Sequence, residues 1–258
     1  VTRIKRRFRE LRKKDRKAFI AYIMAGDPSL EKTKELVRLL EECGADIIEL
    51  GVPFTDPLAD GPVIQRAAER ALAEGVTLRE VIALVGDLRA STDIPIVLMT
   101  YYNPVFKYGE EAFMREASAS GVDGLIVPDL PPDEAGSLIK LARDCSMDTV
   151  FLLAPTSTPD RVRAVAKASR GFIYYVSITG ITGARLHLDP AVQESIGAIR
   201  DITTTPVAVG FGVSTPEEAR AVSDIADGVI VGSAIVKRTK GPEGELREFL
   251  SGLRDAIG

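Results

Sequence analysis

Apolar and polar positions along the chain follow two alternating rhythms. Runs nearly continuous in Val, Ile, Leu, Phe and Tyr recur at residues 18–24, 46–50, 94–100, 124–128, 149–153, 172–176, 206–209 and 228–231. Short apolar runs of this kind suit parallel strands buried on both faces. Between them lie amphipathic stretches with helix-start signals. Ser29 precedes Leu30-Glu31-Lys32 and Thr77 precedes Leu78-Arg79-Glu80, while Ser157-Thr158-Pro159 and Ser214-Thr215-Pro216 place capping hydroxyls ahead of a first-turn proline. Eight such alternations, with no long linker or low-complexity segment, predict one domain over residues 1–258. The expected fold class is α/β, a closed (β/α)8 TIM barrel. An open doubly wound sheet is the competing layout, but the dinucleotide-binding glycine fingerprint is missing after the first strand. Ahead of that strand, Ile4, Phe8 and Leu11 share one helical stripe and predict an extra N-terminal helix.

Charge adds one question to this picture. Ten cations fall between Arg3 and Lys17, interrupted by Glu10 and Asp15. The stretch reads either as an RNA-binding arm or as a helix that closes one barrel end and shows a solvated basic face. The interrupting acids favour the second. The whole chain holds 33 basic and 37 acidic residues, a formal charge of −4, so no global field draws it to nucleic acid or anionic lipid. With 45% hydrophobic and 27% charged residues among 258, it has a globular composition and not a disordered one. No apolar run approaches the 18 or so residues of a membrane span, and no apolar segment follows the charged start as in a secretory leader. A cytoplasmic protein is expected. Cys43 and Cys145 cannot form a disulfide framework, and together with the single His187 they leave little for a metal site.

In a barrel, chemistry belongs to the strand C-termini and the loops that follow. Three glycine-rich loops stand there: residues 179–184, Gly210-Phe211-Gly212-Val213-Ser214 and Gly232-Ser233-Ala234. Glycines let backbone N–H groups approach a ligand, so three such loops at consecutive strand ends indicate phosphate binding rather than turns alone. Glu49 lies inside an apolar strand run, hemmed by Ile48 and Leu50. It is either half of a buried ion pair or an acid raised by desolvation. No cation follows before Arg66, which favours the acid. The loop after it carries Asp56 and Asp60 among prolines and reads as a lid or docking loop. Asp27 reads as turn chemistry in Gly26-Asp27-Pro28, and Asp129 as a ligand contact or a turn cap. No lysine stands at a strand end, which argues against a Schiff-base aldolase. A phosphate-anchored substrate worked on by carboxylates, without a metal, is the chemistry left.

Residues 46–65, from Asp46-Ile-Ile-Glu-Leu-Gly51 through the acidic proline loop to Gln65, closely resemble the signature of the tryptophan synthase alpha subunit family. Met99-Thr-Tyr-Tyr-Asn-Pro104, Val127-Pro-Asp-Leu-Pro131, residues 174–184, Gly210-Phe-Gly-Val213 and Val231-Gly-Ser-Ala-Ile-Val-Lys237 resemble its other motifs, in its order. The resemblance implies retro-aldol cleavage of indole-3-glycerol phosphate to indole and glyceraldehyde 3-phosphate. Glu49 would be the acid/base at the scissile carbon, and Asp60 would stabilise positive charge at the indole N–H. Gly183, Gly212, Gly232 and Ser233 match the phosphate positions. Tyr174 and Thr182 match active-site positions; Tyr22, Ile64, Thr100 and Val127 would line the indole pocket, with Asp129 beside it. Some family members carry Phe and Leu where Tyr22 and Thr100 stand, so this pocket is more polar. The resemblance also implies a partner, a beta subunit that holds pyridoxal phosphate, in an alpha2beta2 complex; the chain itself would need no cofactor. Pro53, Asp56, Asn103, Phe106 and Pro131 would belong to the docking surface. The rival readings are a phosphate-binding isomerase of this fold, a stand-alone indole-releasing lyase, and a catalytically silent activating subunit.

Overall fold

A computed structural model describes residues 1–176, 190–210 and 212–258. Every predicted strand run forms: β1 (Ala18–Met24), β2 (Ile47–Gly51), β3 (Ile96–Met99), β4 (Gly124–Ile126), β5 (Asp148–Val150), β6 (Leu152–Leu153), β7 (Ile173–Val176), β8 (Val207–Gly210) and β9 (Gly228–Val231). All strand pairs are parallel, in the order β5-β4-β3-β2-β1-β9-β8-β7-β6. The run 149–153, expected as one strand, is divided at Phe151 into β5, which pairs with β4, and β6, which pairs with β7. The two ends of the strand order are therefore consecutive in the chain. Backbone bonds carry the ladder past the division: Arg170 N–H donates to the Thr149 carbonyl at 2.8 Å and Tyr174 N–H to the Phe151 carbonyl at 3.1 Å. This joins the edges and makes the sheet a barrel with eight strand positions.

The helices are α1 (Arg3–Lys13), α2 (Leu30–Glu42), α3 (Pro62–Ala73), α4 (Leu78–Leu88), α5 (Tyr102–Tyr108), α6 (Glu110–Ala119), α7 (Gly136–Asp144), α8 (Pro159–Ala168), α9 (Pro190–Ile202), α10 (Pro216–Ser223), α11 (Ser233–Arg238) and α12 (Glu243–Ile257). The predicted caps do their work. Ser29 and Thr158 accept from the N–H groups of Lys32 and Arg161, and Thr77 with Glu80 and Thr215 with Glu218 form capping boxes. No helix among the described residues is long and apolar enough to cross a membrane.

Strand alternation sorts the core into two layers. Ala18, Ile20, Ile47, Val97, Ile126 and Ala208 point into the lumen, and their neighbours pack outward against the helices. α1 belongs to the lumen layer: Ile4, Phe8 and Leu11 are buried in it, with the Phe8 ring centroid 5.9 Å from that of Phe172. Its polar side reaches the strand starts. Thr2 donates to Asp148 at 2.6 Å, Arg3 to Asp123 at 3.2 Å and Arg7 to Asp46 at 3.4 Å. The basic N-terminal stretch is thus the helix that closes the barrel's N-terminal end.

Those aspartates form a repeated device that the periodicity did not reveal. The Asp46, Asp123 and Asp227 carboxylates accept from the backbone N–H groups of Phe19, Ile96 and Val207, each at 2.9 Å. Each aspartate stands just ahead of a strand and bonds the start of a neighbouring one, which holds the register at the closed end.

Candidate active site

At the opposite, C-terminal end, the lumen becomes polar. Glu49 is in register with Tyr22 on β1 and Val97 on β3, one inward step above Ile47. It is 1% exposed, and its Oε2 has no hydrogen-bond partner among the described residues. Burial, reinforced by the nearby charge of Asp60, pushes its carboxyl up to about 8. No cation pairs with it among the described residues, so the structure realises the raised acid and not the buried ion pair.

Asp60 comes from the loop between β2 and α3. Burial raises it to about 6, against the pull of a hydrogen bond from Tyr101. Tyr101, at the end of β3, organises this loop. Its hydroxyl accepts from Ala59 N–H at 2.9 Å and donates to the Asp60 carboxylate, and its ring stacks on Phe54 with centroids 5.2 Å apart. Gln65 donates to the Asp60 carbonyl at 2.8 Å from the first turns of α3. Nothing local in the sequence marked Tyr101, because its partners lie about 40 residues upstream.

Two more tyrosines cover the floor of the site. A Cβ at Gly51 would collide with the Tyr22 hydroxyl, and one at Gly210 would stand 2.5 Å from the Tyr174 hydroxyl. Each ring therefore lies across a neighbouring strand where only glycine fits. Burial and the charges of Asp60 and Glu49 hold both phenols well above their ordinary range, so they act as neutral donors.

Of the predicted phosphate residues, Gly212 has φ +83°, and Gly232 and Ser233 form the start of α11. There Ile235 and Val236 N–H groups bond the Gly232 carbonyl, while those of Ser233 and Ala234, at the helix start, have no backbone partner among the described residues. Thr182, Gly183, His187 and the rest of the 179–184 loop lie outside the described residues, as does Phe211. Ile64 is half-buried on α3, and Thr100 and Val127 are buried at their strand ends.

Three expectations change. Asp27 does more than close a turn: Arg70 on α3 donates to both its carboxylate oxygens at 2.7 and 2.6 Å, tying the helix that follows the acidic loop to the end of β1. Asp129 is exposed and accepts from Tyr102 N–H at 2.9 Å, the capping alternative, at the start of α5. Pro53 is buried, because Val52 N–H continues the ladder to the Met99 carbonyl at 2.9 Å and draws the segment inward; Pro132 is buried too. Neither presents a surface in this chain. Asp56, Asn103 and Phe106 are exposed, Phe106 by 64%, and Pro131 partly so. Leu58, 94% exposed at the tip of the acidic loop that was expected to dock, joins them. Among the described residues, no group of His, Cys, Asp and Glu is arranged to hold a metal.

The model for the family "Tryptophan synthase alpha chain" matches residues 8–252. The tryptophan synthase alpha chain of Geobacter sulfurreducens is 51% identical over the full length of both chains, and that of Picosynechococcus is 48% identical over the same extent. Among solved structures, Mycobacterium tuberculosis tryptophan synthase aligns with a TM-score of 0.93 at 40% identity, covering 100% of this chain and 98% of that one. Tryptophan synthase subunit alpha from Legionella pneumophila aligns with a TM-score of 0.92 at 36% identity, covering 100% and 98%. A family model spanning nearly the whole barrel, and relatives half identical from end to end, show that the chain belongs to the tryptophan synthase alpha chain family.

Proposed function

We propose that this chain cleaves indole-3-glycerol phosphate to indole and glyceraldehyde 3-phosphate, with Glu49 as acid and base and Asp60 as electrostatic stabiliser. The observation that carries this reading is a pair of carboxyls at the strand C-termini, raised to about 8 and about 6 by burial, Glu49 also by the charge of Asp60, with no cation paired to Glu49 among the described residues. At neutral pH Glu49 is protonated and Asp60 ionised. Glu49 donates its proton to ring carbon C3, which makes the indole nitrogen iminium-like, and the Asp60 carboxylate stabilises that positive charge. The Glu49 carboxylate then takes the proton of the hydroxyl on the carbon attached to C3. The electron pair of the C–C bond returns to the ring, the aldehyde leaves, and Glu49 ends protonated as it began. Gly212, Gly232 and Ser233, with Gly183, would hold the phosphate; Tyr22, Ile64, Thr100, Val127, Tyr174 and Thr182 would surround the ring.

The reaction needs Asp60 ionised and Glu49 protonated, so kcat/KM for indole release is expected to be bell-shaped, with limbs near 6 and 8. Glu49→Gln should lose roughly a thousandfold or more in kcat, and Asp60→Asn about a hundredfold. Indole release from Glu49→Gln at the parental rate would remove the assignment.

The chain would act as one domain in the cytoplasm, beside a beta subunit in an alpha2beta2 complex, with pyridoxal phosphate held by that partner and no cofactor of its own. Leu58, Asp56, Asn103 and Phe106 support this docking surface. They lie on the two segments that Tyr101 connects to Asp60, so a partner seated there would steady the catalytic carboxylate.

A further inference from the structure

The chemistry at the strand C-termini leaves the basic surface at the other end of the barrel unused. There α1, the turn after it and the segments leading into β5, β7 and β8 enclose a cavity of about 800 Å³. Seven cationic and three anionic side chains line it, a local excess of four positive charges on a chain whose formal charge is −4. Arg9 and Arg12 enter from α1, Arg143 from the end of α7 and Arg170 from the turn before β7. The side chains of Arg9, Arg12 and Arg143 make no hydrogen bond or ion pair with any described residue. Of the three carboxylates, Asp227 pairs with Arg200 outside the cavity at 3.4 Å and accepts from Val207 N–H at 2.9 Å, and Asp148 accepts from the Thr2 hydroxyl at 2.6 Å. Asp148 offsets part of the charge of Arg170 and Lys5, and the cations in excess stand in a concave wall, where low-dielectric surroundings focus their field.

A second feature is independent of charge. Ser169 lines the same cavity, is 6% exposed, and its hydroxyl is buried without a hydrogen-bond partner among the described residues. A buried orphan hydroxyl is uncommon in a folded protein and is a donor left over for a ligand oxygen. Guanidinium forks and a hydroxyl donor are the groups that chelate phosphate oxygens. The volume falls within the roughly 300–1,000 Å³ of small-molecule sites. A nucleic acid backbone would instead need a continuous basic track, which Glu10 and Asp15 interrupt.

We propose that this cavity binds a small polyphosphate group, the di- or triphosphate of a nucleotide or free polyphosphate, with Arg9, Arg12, Arg143 and Arg170 on the phosphates and Ser169 donating to one of their oxygens. The site lies at the strand N-termini, away from the carboxylates, and does not depend on the reaction assigned to them.

Titration calorimetry of the full chain at fixed ionic strength, with inorganic triphosphate as probe, tests this directly. Triphosphate should bind one saturable site at least about tenfold more tightly than orthophosphate. Arg9→Gln with Arg143→Gln should weaken it by about tenfold or more while indole release is unchanged; both side chains are exposed, so folding should be unaffected. Ser169→Ala should weaken it several-fold. A nucleoside triphosphate that binds more tightly than inorganic triphosphate, or one that binds equally, would each support the site and would distinguish nucleotide from free polyphosphate. Absence of saturable binding, unaltered affinity in the double variant, or tight single-stranded RNA binding that triphosphate does not displace would overturn the proposal.

Discussion

Glu49 is an expensive residue for this fold to keep. A carboxyl raised from 4.5 to about 8 retains a proton in the folded state that the unfolded chain releases across that interval. Folding stability is therefore unaffected by Glu49 below about pH 4.5 and declines as pH rises towards 8, on the order of a few kcal/mol for a shift of this size. Glu49→Gln should accordingly melt higher than the parent at pH 9 and close to it at pH 5. Thermal unfolding at the two pH values measures this, and an equal difference at both would contradict it. Asp60 contributes in the same sense over a narrower window, from 3.8 to about 6. Its carboxyl is held down by the Tyr101 hydroxyl, so Tyr101→Phe should move the acid limb of the pH–rate profile upward. Activity would then fall about tenfold at pH 6 and less at pH 7.5. A uniform loss at all pH values would mean that Tyr101 is only packing. Glu49 was legible in the sequence because a charge inside an apolar strand run has few explanations. Tyr101 was not, since a tyrosine at a strand end is ordinary until the loop carrying Ala59 and Asp60 folds back onto it.

Elements show the same division. Long helices announce themselves through caps and periodicity, and Ser29, Thr77, Thr158 and Thr215 all cap as the pattern predicts. α5 and α11 have seven and six residues, too few for a periodic signal. Tertiary partners position α5, through Asp129 on Tyr102 N–H. The strand-start aspartates are likewise invisible as a pattern, because each completes a bond to a strand that is distant in sequence. Asp46 joins the Phe19 N–H at 2.9 Å to Arg254 at 2.8 Å, and the side chain of Arg254 is only 10% exposed. Asp46→Ala leaves that guanidinium buried without its carboxylate and should destabilise by about 3–5 kcal/mol in urea unfolding. Glu42→Ala, which removes an exposed partner of Arg247, should stay within about 0.5 kcal/mol. Similar losses in the two variants would mean that the aspartate device does not stabilise the barrel.

For the whole molecule, one end of the barrel is closed by α1 and stitched by aspartates, and the other carries the loops and carboxylates. This separation of stability from chemistry lets the loop between β2 and α3 respond to a partner without disturbing the fold. Adding a beta subunit should accelerate indole release and protect the loop around Leu58 from proteolysis; unchanged turnover and unchanged cleavage would remove the docking role of that surface.

The sequence by itself determined the succession of strands and helices, the extra N-terminal helix, the glycine-rich strand ends and the two carboxylates, because periodicity, capping and turn chemistry act over a few residues. Only the tertiary structure decided that the strand order closes through Phe151, that Asp27 binds Arg70, that Pro53 is buried and that Tyr101 holds Asp60. It also decided the acidity of Glu49. A pKa near 8 comes from the removal of water, and water is removed only when the strands close around one point.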